Sequence, residues 1–183
     1  MLEARGAEVI DADALGRQAL EPGKPPWHSV VDQFGDEILA AHSMEIDRKR
    51  LAAIVFADPK KLAALNAIVH PVILSEIADR LETLRETDEI VVLDAALIVE
   101  LGLVSSLEVL IVVEASDEKR RDRLVRERGM DLADVEARIG AQAKPEPLRA
   151  KADIVVRNDG SLDALEREAD RVWADLQARR DSA

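Results

Sequence analysis

Acidic and amide side chains follow the strongly apolar runs of this sequence, where chemistry is commonly placed in α/β proteins. Asp11 and Asp13 follow the first such run, Asp94 follows the second, and Asn158 and Asp159 follow the last. Carboxylates at strand ends can coordinate Mg²⁺ or accept a proton from an attacking hydroxyl. A lone aspartate in this position is more often a helix cap. Because three runs share the pattern, we favour a chemical role.

Positive charge is concentrated in one segment, although the whole chain carries a net charge of −12. The basic residues of the segment 118–128 are Lys119, Arg120, Arg121, Arg123, Arg126 and Arg128. Such a helix could form a lid whose guanidinium groups stabilise charge on a phosphoryl group during its transfer. The alternative is a solvated helix face with acidic partners, which we expect for most of the six. Arg126 and Arg128 are favoured as functional because they lie nearest to Gly129.

His70 precedes Pro71 at the predicted junction of two helices. A lone histidine is more often a packing or capping residue than a catalytic one. At this junction, however, a loop could face the carboxyl edge of a sheet, so His70 is retained as a candidate. His28 and His42 have no comparable context.

The composition excludes several classes of protein. The chain has 183 residues, of which 48% are hydrophobic and 34% charged, as expected for one folded domain. Its acidity disfavours general binding to nucleic acids or anionic membranes, and 2% aromatic residues leave no platform for stacking bases. The absence of cysteine excludes disulfides and thiolate sites. We find no apolar run approaching the ~18 residues of a membrane span and expect a cytoplasmic protein.

Four short runs rich in β-branched residues are predicted to be strands of a parallel sheet, because they are continuous rather than alternating. They are residues 8–10, 90–93, 109–113 and 154–156. Helices are predicted to begin at Asp58-Pro59, Pro71, Ser116-Asp117 and Asp131 (towards Gln142), with a last helix over residues 162–176. Residues 22–26 and 145–147 are predicted to form a turn and a loop. Alternating strands and helices predict an α/β fold, with residues 1–183 forming a single domain.

Several segments together carry a resemblance to a known family. They are Val-Ile-Asp-Ala-Asp at 9–13, Arg17, Glu21-Pro22-Gly23, Phe34-Gly35, His70-Pro71, residues 94–100, Gln142 and residues 152–158. In these segments the sequence resembles dephospho-coenzyme A kinases, from about residue 6 to the last helix. The resemblance implies a three-layer P-loop kinase-like fold with helices on both faces of a parallel sheet. It also implies an acceptor-binding helical region at about 14–87 and a helical lid at about 117–150.

The activity implied by the resemblance is transfer of the γ-phosphoryl group of ATP to the ribose 3′-hydroxyl of dephospho-coenzyme A, the last step of coenzyme A biosynthesis. ATP and Mg²⁺ are the implied cofactors. Carried over to this sequence, Asp13 is the expected general base. The other expected contacts are Arg17, His70 and Asp94 at the acceptor, Arg126 and Arg128 at the transferring phosphoryl group, and Arg149 and Asn158 at ATP. The metal ligands and the oligomeric state are left open.

The sequence departs from the family pattern at three places. Ala96 stands where the family has proline, and residues 144–147 replace much of an arginine-rich stretch. No Gly-x-x-x-x-Gly-Lys-Ser/Thr phosphate loop occurs, since the one Gly-Lys pair, Gly23-Lys24, lacks the required spacing. The family's first central strand is expected to be missing with that loop. Residues 2–6 resemble the last turn of a helix, with Gly6 after its end.

Three hypotheses follow from this combination. The first is a dephospho-coenzyme A kinase whose chain starts at an internal methionine and is inactive as written. The second is a non-catalytic protein that binds dephospho-coenzyme A. The third is another small-molecule kinase of the same fold, such as a nucleoside kinase.

Overall fold

A computed structural model describes residues 1–141 and 146–182 of the chain. Gln142, Lys144 and Pro145, which entered the comparison with the family, lie outside the described residues. The chain divides into two compact units. Unit 1 comprises Met1–Arg5 and Val104–Ala183, and unit 2 comprises Gly6–Leu103. Each unit contains a pair of parallel strands together with helices, so the α/β class is confirmed. The single-domain assignment stays a prediction.

Unit 2 is built on strands β1 and β2, which pair in parallel from Glu8 opposite Val91 to Asp11 opposite Asp94. Its elements are β1 (Glu8–Asp11), α1 (Ala12–Ala19), α2 (Pro25–Phe34), a 3₁₀ turn (Asp36–Ile38), α3 (Arg48–Phe56), α4 (Pro59–Leu84) and β2 (Val91–Asp94). Both strands were predicted, and both run one residue further and end on an aspartate. Helices α2 and α3 were not predicted. The segment 22–26 extends into α2, which begins at Pro25 because its missing N–H costs nothing in a first turn.

The core of unit 2 is closed by residues from the strand and from every helix around it. Ile10, Val30 and Ile38 are almost wholly buried, and Ile73 and Ile77 add the buried stripe of α4. Each such side chain contributes about 1.5–3 kcal/mol through removal of apolar surface from water. The core therefore fixes α4 against the helices that lead away from β1.

Helix α4 corrects one prediction. Residues 59–84 form a single helix with Pro71 inside it, so the predicted second helix start at Pro71, with His70 at a junction, is wrong. A proline inside a helix removes one hydrogen bond and costs about 3 kcal/mol. Buried apolar residues lie on both sides of it, at Val69 and at Ile73, and their burial offsets that cost. The predicted helix start is confirmed, since the Asp58 carboxylate caps α4 by accepting from the Lys60 N–H at 2.9 Å.

By its length and mean hydropathy alone, α4 could cross a bilayer. The sequence analysis had found no apolar run long enough for a membrane span. An 18-residue window in this helix has a mean hydropathy of 1.4. The helix nonetheless packs against α1, α2 and α3, and its buried side chains belong to the core cluster of unit 2. Core helices of soluble proteins meet the same criterion, so the property is weak evidence for a membrane span.

Unit 1 is built on strands β3 and β4, which pair in parallel from Ile111 opposite Ile154 to Glu114 opposite Arg157. Its elements are two 3₁₀ turns (Glu3–Arg5 and Val104–Ser106), β3 (Ile111–Glu114), α5 (Asp117–Arg126), α6 (Leu132–Ala141), α7 (Glu146–Arg149), β4 (Ile154–Arg157) and α8 (Leu162–Arg180). The predicted starts of α5, α6 and α8 are confirmed. The loop predicted for 145–147 is wrong at its end, where α7 begins.

The first residues of the chain are held to α8 within unit 1. The guanidinium of Arg5 donates to Glu166 at 2.7 Å and to Asp170 at 2.8 Å. These two bonds are the chief reason why the pKa of Arg5 is raised above its usual value. The backbone then turns through Gly6, whose φ of 107° is a conformation that favours glycine. A short helical turn followed by glycine is therefore confirmed, and the Arg5 guanidinium binds α8 and also donates to the carbonyl of Met1 at 2.9 Å.

Candidate functional site

The carboxyl ends of β1 and β2 bring two of the predicted acidic residues side by side. Asp11 and Asp94 occupy the last pair of the parallel ladder. Asp11 also caps α1, because its Oδ1 accepts the Ala14 N–H at 2.7 Å. Its second carboxylate oxygen accepts from Arg17 at 3.3 Å. Asp11 is therefore committed to local structure, whereas Asp94 is exposed at the end of its strand.

Asp13 lies in the first turn of α1, beside that edge of the sheet. It is exposed, and within residues 1–141 and 146–182 its carboxylate makes no hydrogen bond or ion pair. The unpaired N–H groups of a helix start favour a negative charge there. An unengaged carboxylate in this position can accept a proton from a hydroxyl group bound nearby.

Helix α1 packs closely on α4, which carries His70. Gly16 makes the contact possible, because a Cβ added to it would lie 3.2 Å from Cδ1 of Ile73. Asp13 and Arg17 lie three residues before and one after this glycine, and His70 is one turn before Ile73. Three predicted acceptor-side residues thus lie on neighbouring turns of two packed helices.

His70 has an unusual polar environment within this helix pair. Its Nε2 is buried and has no hydrogen-bond partner in the described part of the chain. Leaving a buried polar atom unpaired costs about 1–3 kcal/mol, so native proteins seldom tolerate it without a function. An unpaired imidazole nitrogen is chemically suited to bind a polar group of a ligand.

The described residues do not form a ready-made metal site. No group of three or more histidine, aspartate or glutamate side chains is placed to hold a metal ion in the described residues. Asp94 and Asp13 offer oxygen donors of the type that Mg²⁺ prefers, but Mg²⁺ is usually bound through only one or two carboxylates together with substrate phosphates. The oxygen donors at this edge are therefore better suited to a Mg²⁺ ion that binds together with a nucleotide than to a permanently bound metal ion.

The segment predicted to be a lid begins, in unit 1, with the basic helix α5. Ser116 caps it, and Gly129, with a φ of 61°, ends it by donating its N–H to the carbonyl of Val125. Arg121 forms a short ion pair with Glu136 of α6, which raises the pKa of the arginine and lowers that of the glutamate. The hairpin of α5 and α6 is therefore fastened by a charge pair across its two helices.

Arg126 and Arg128 lie at the exposed end of α5. The side chain of Arg126 is 78% exposed and comes no closer than 4.0 Å to Asp122. Arg128 is exposed, with no hydrogen bond or ion pair to the described residues. These two guanidinium groups therefore have donors available for a ligand.

Arg149 and Asn158 meet at a residue that the sequence analysis missed. Glu114, the last residue of β3, forms ion pairs with Arg149 at 3.7 Å and with Arg157 at 3.3 Å. Its backbone carbonyl accepts the N–H of Asn158 at 2.7 Å. Glu114 follows an apolar run, as the predicted aspartates do, so the same signal could have identified it.

A shallow cleft opens beside Arg149 in unit 1. It has a volume of about 470 Å³ and is lined by Arg149, Val155, Arg157, Ala164, Arg167 and Glu168. Arg167 makes no hydrogen bond or ion pair with the part of the chain that the structure describes. Three of the six lining residues are arginines, in a chain with a net charge of −12.

Comparison with known proteins identifies the family of this chain. The sequence model of a family described as Dephospho-CoA kinase matches residues 1–164. The chain belongs to the dephospho-CoA kinase family. A dephospho-CoA kinase of Streptomyces avermitilis is 46% identical over 179 residues, which cover 98% of this chain and 86% of that relative. The dephospho-CoA kinase of Thermobifida fusca is 44% identical, with coverage of 97% and 88%.

Solved structures share the fold of this chain. A crystal structure of a Thermus thermophilus protein has a TM-score of 0.76 and 34% identity, and covers 96% of this chain and 87% of its own. The dephospho-CoA kinase of Campylobacter jejuni has a TM-score of 0.68 at 24% identity, which shows the fold alone. The α/β fold with parallel strands and the membership of a family of phosphate-transferring kinases are thereby established.

Proposed function

We propose that this chain binds dephospho-coenzyme A through unit 2, as the acceptor of a phosphoryl group from ATP. The observation that carries the proposal is the packing of α1 on α4. Asp13 and Arg17 lie on α1 and His70 lies on α4, near the contact between Gly16 and Ile73, and we propose that their side chains act on one ligand. A carboxylate, a cation and an imidazole nitrogen acting together suit an alcohol that must be deprotonated while its phosphate groups are held.

In the proposed reaction Asp13 accepts the proton of the ribose 3′-hydroxyl, and the freed oxygen attacks the γ-phosphorus of ATP. The new phosphate ester forms as the bond to the bridging oxygen breaks, and ADP leaves with its electron pair. Arg126, Arg128 and Arg149 would neutralise phosphate oxygens, and Asn158 would contact the nucleotide. Mg²⁺ would supply charge neutralisation on the phosphates when it is bound with ATP.

A titration of the 183-residue chain with dephospho-coenzyme A tests the acceptor part of the proposal. We expect saturable binding by calorimetry, and weaker binding in Arg17→Gln and His70→Leu. Asp32→Asn, at an exposed aspartate of α2, is the matched control and should bind as the unchanged chain does. If the ligand does not bind, or if it binds equally to all variants, the acceptor site is assigned wrongly.

A second candidate is a non-catalytic protein that binds dephospho-coenzyme A. This candidate would hold dephospho-coenzyme A at the same acceptor site without transferring a phosphoryl group to it, so it would form no ADP. Formation of ADP that depends on dephospho-coenzyme A would exclude the non-catalytic candidate, while phosphorylation of a nucleoside instead would favour a kinase with another acceptor.

The proposed setting is the cytoplasm, with no nucleic acid or membrane as partner. The acidic surface and the absence of cysteine support it. Binding of the chain to anionic vesicles or to DNA at physiological salt would contradict it.

A further inference from the structure

The root of the lid helix α5 is joined to the loop that follows β4 by two side-chain contacts. Asp159 Oδ1 accepts the N–H of Ser116, the capping residue of α5, at 2.7 Å. About two turns further along α5, the Arg123 guanidinium donates to Oδ1 of Asn158 at 3.1 Å. We call the four residues Ser116, Arg123, Asn158 and Asp159 the clasp. It lies wholly within unit 1.

Arg123 differs from the other candidate arginines of the lid. It is half-buried, whereas Arg126 and Arg128 are exposed. Its charge also acts on Asp159, whose pKa is lowered first by the hydrogen bonds from Ser116 and then by attraction to Arg123. One hydrogen bond to Asn158 and the attraction of Asp159 therefore hold Arg123 at the loop after β4.

The contact with Arg123 determines which end of the Asn158 amide is available. An asparagine side chain has one oxygen that accepts and one NH₂ group that donates, and a guanidinium can only donate. The oxygen must therefore face Arg123, and the NH₂ group points away from it. The backbone N–H of Asn158 is already used by the carbonyl of Glu114. The end of the Asn158 side chain that faces away from Arg123 consequently offers N–H donors to a ligand.

We propose that Arg123 is a positioning residue that makes Asn158 a donor to a hydrogen-bond acceptor of the bound nucleotide. The acceptor is a ring nitrogen or an oxygen atom of ATP. The inference rests on the proposed function, because it takes Asn158 as a nucleotide-side residue. It adds that the lid helix and the nucleotide contact are coupled through one hydrogen bond, so a change in either element alters the other.

The test is a titration of the ¹⁵N-labelled 183-residue chain with ATP, followed through the side-chain amide signal of Asn158. Loss of this signal in Asn158→Asp assigns it. We expect ATP to shift the signal in the unchanged chain. Arg123→Leu should move it before any ligand is added and should weaken ATP binding by about five- to tenfold, the effect of one misaligned hydrogen bond. Arg123→Lys still donates and should recover most of the affinity.

Two further variants separate positioning from general structural damage. Lys119→Gln removes one positive charge from an exposed site of the same helix and should leave ATP affinity and the Asn158 signal unchanged. Asn158→Asp keeps a partner for Arg123 but has no N–H donor, so it should lose affinity as Arg123→Leu does. Circular dichroism establishes that each variant is folded.

Three results would overturn the inference. They are an Asn158 signal that ATP does not shift, an Arg123→Leu variant that binds ATP as tightly as the unchanged chain, and an Asn158→Asp variant with undiminished affinity. Failure of dephospho-coenzyme A to bind is a separate result. It would show that the proposed acceptor is wrong. The positioning role would still be supported if the Asn158 signal responded to ATP and to replacement of Arg123.

Discussion

Replacement of His70 by leucine should stabilise the protein and weaken ligand binding at the same time. The Nε2 atom of His70 is buried without a hydrogen-bond partner in the described residues. Burying a polar atom without a partner destabilises the folded chain, because its hydrogen bond to water is lost. A leucine of similar size removes the unpaired atom and keeps the apolar contacts around it.

The size of the effect follows from two contributions. Removing an unsatisfied buried polar atom is worth about 1–3 kcal/mol, and leucine exceeds histidine in helix propensity by a few tenths of a kcal/mol. Imperfect packing of the branched side chain in the space of a planar ring opposes both. We expect a net gain of about 1–2 kcal/mol in the free energy of unfolding, which raises Tm by roughly 2–8 °C in a chain of this length.

Urea denaturation and thermal melting measure the stability, and calorimetry measures the binding of dephospho-coenzyme A. Binding should weaken about tenfold or more, since the ligand loses a polar partner. Ser75→Leu, at an exposed site of the same helix, is the control for helix propensity alone and should change stability by only a few tenths of a kcal/mol. A fall in Tm for His70→Leu, or unchanged binding, would refute the reasoning.

Three further predictions concern packing and charge. Gly16→Val should lower the free energy of unfolding by about 1–3 kcal/mol in urea, because its side chain would overlap Ile73; a neutral result would mean that the helices can separate. The pKa of Asp159 is lowered in the folded chain, so the stability that its hydrogen bond to Ser116 provides is fully present above about pH 4, the usual pKa of aspartate. This stability is lost as the pH falls through the pKa of Asp159 in the folded chain. The NMR chemical shift of the Ser116 amide should change with pH over the range in which Asp159 titrates, and it should not change in an Asp159→Asn variant. Glu114→Gln should lower the free energy of unfolding, measured in urea, by less than about 1 kcal/mol, because the two arginines that Glu114 pairs with are about half exposed or more. A larger decrease would show that the charges of these arginines are effectively buried.

Local patterns predicted the strands and most of the helix starts. The four β-branched runs all became strands, since few other conformations suit such residues. Asp58, Ser116 and Asp131 cap helices, as their side chains accept from N–H groups two or three residues ahead. These features depend on neighbours in the sequence, so the sequence alone is sufficient to predict them.

Features that depend on distant residues were beyond such patterns. Pro71 indicates a break, but burial of the apolar residues on both sides keeps α4 continuous. The residues of the candidate site come from a family pattern and stay predictions, and their partners in the structure were not predicted. That Arg17 binds Asp11, that His70 Nε2 is unpaired and that Arg123 holds Asn158 follow from how helices and loops pack.

The contacts of Arg5 have a consequence for the order in which the chain folds during synthesis. Unit 2 is continuous in sequence, so all of its internal contacts are available once residue 103 has left the ribosome. The partners of Arg5 follow 161 and 165 residues after it, which makes this pairing among the last to form. We therefore expect unit 2 to fold as a nascent chain while the first five residues wait, unpaired, for α8 to emerge.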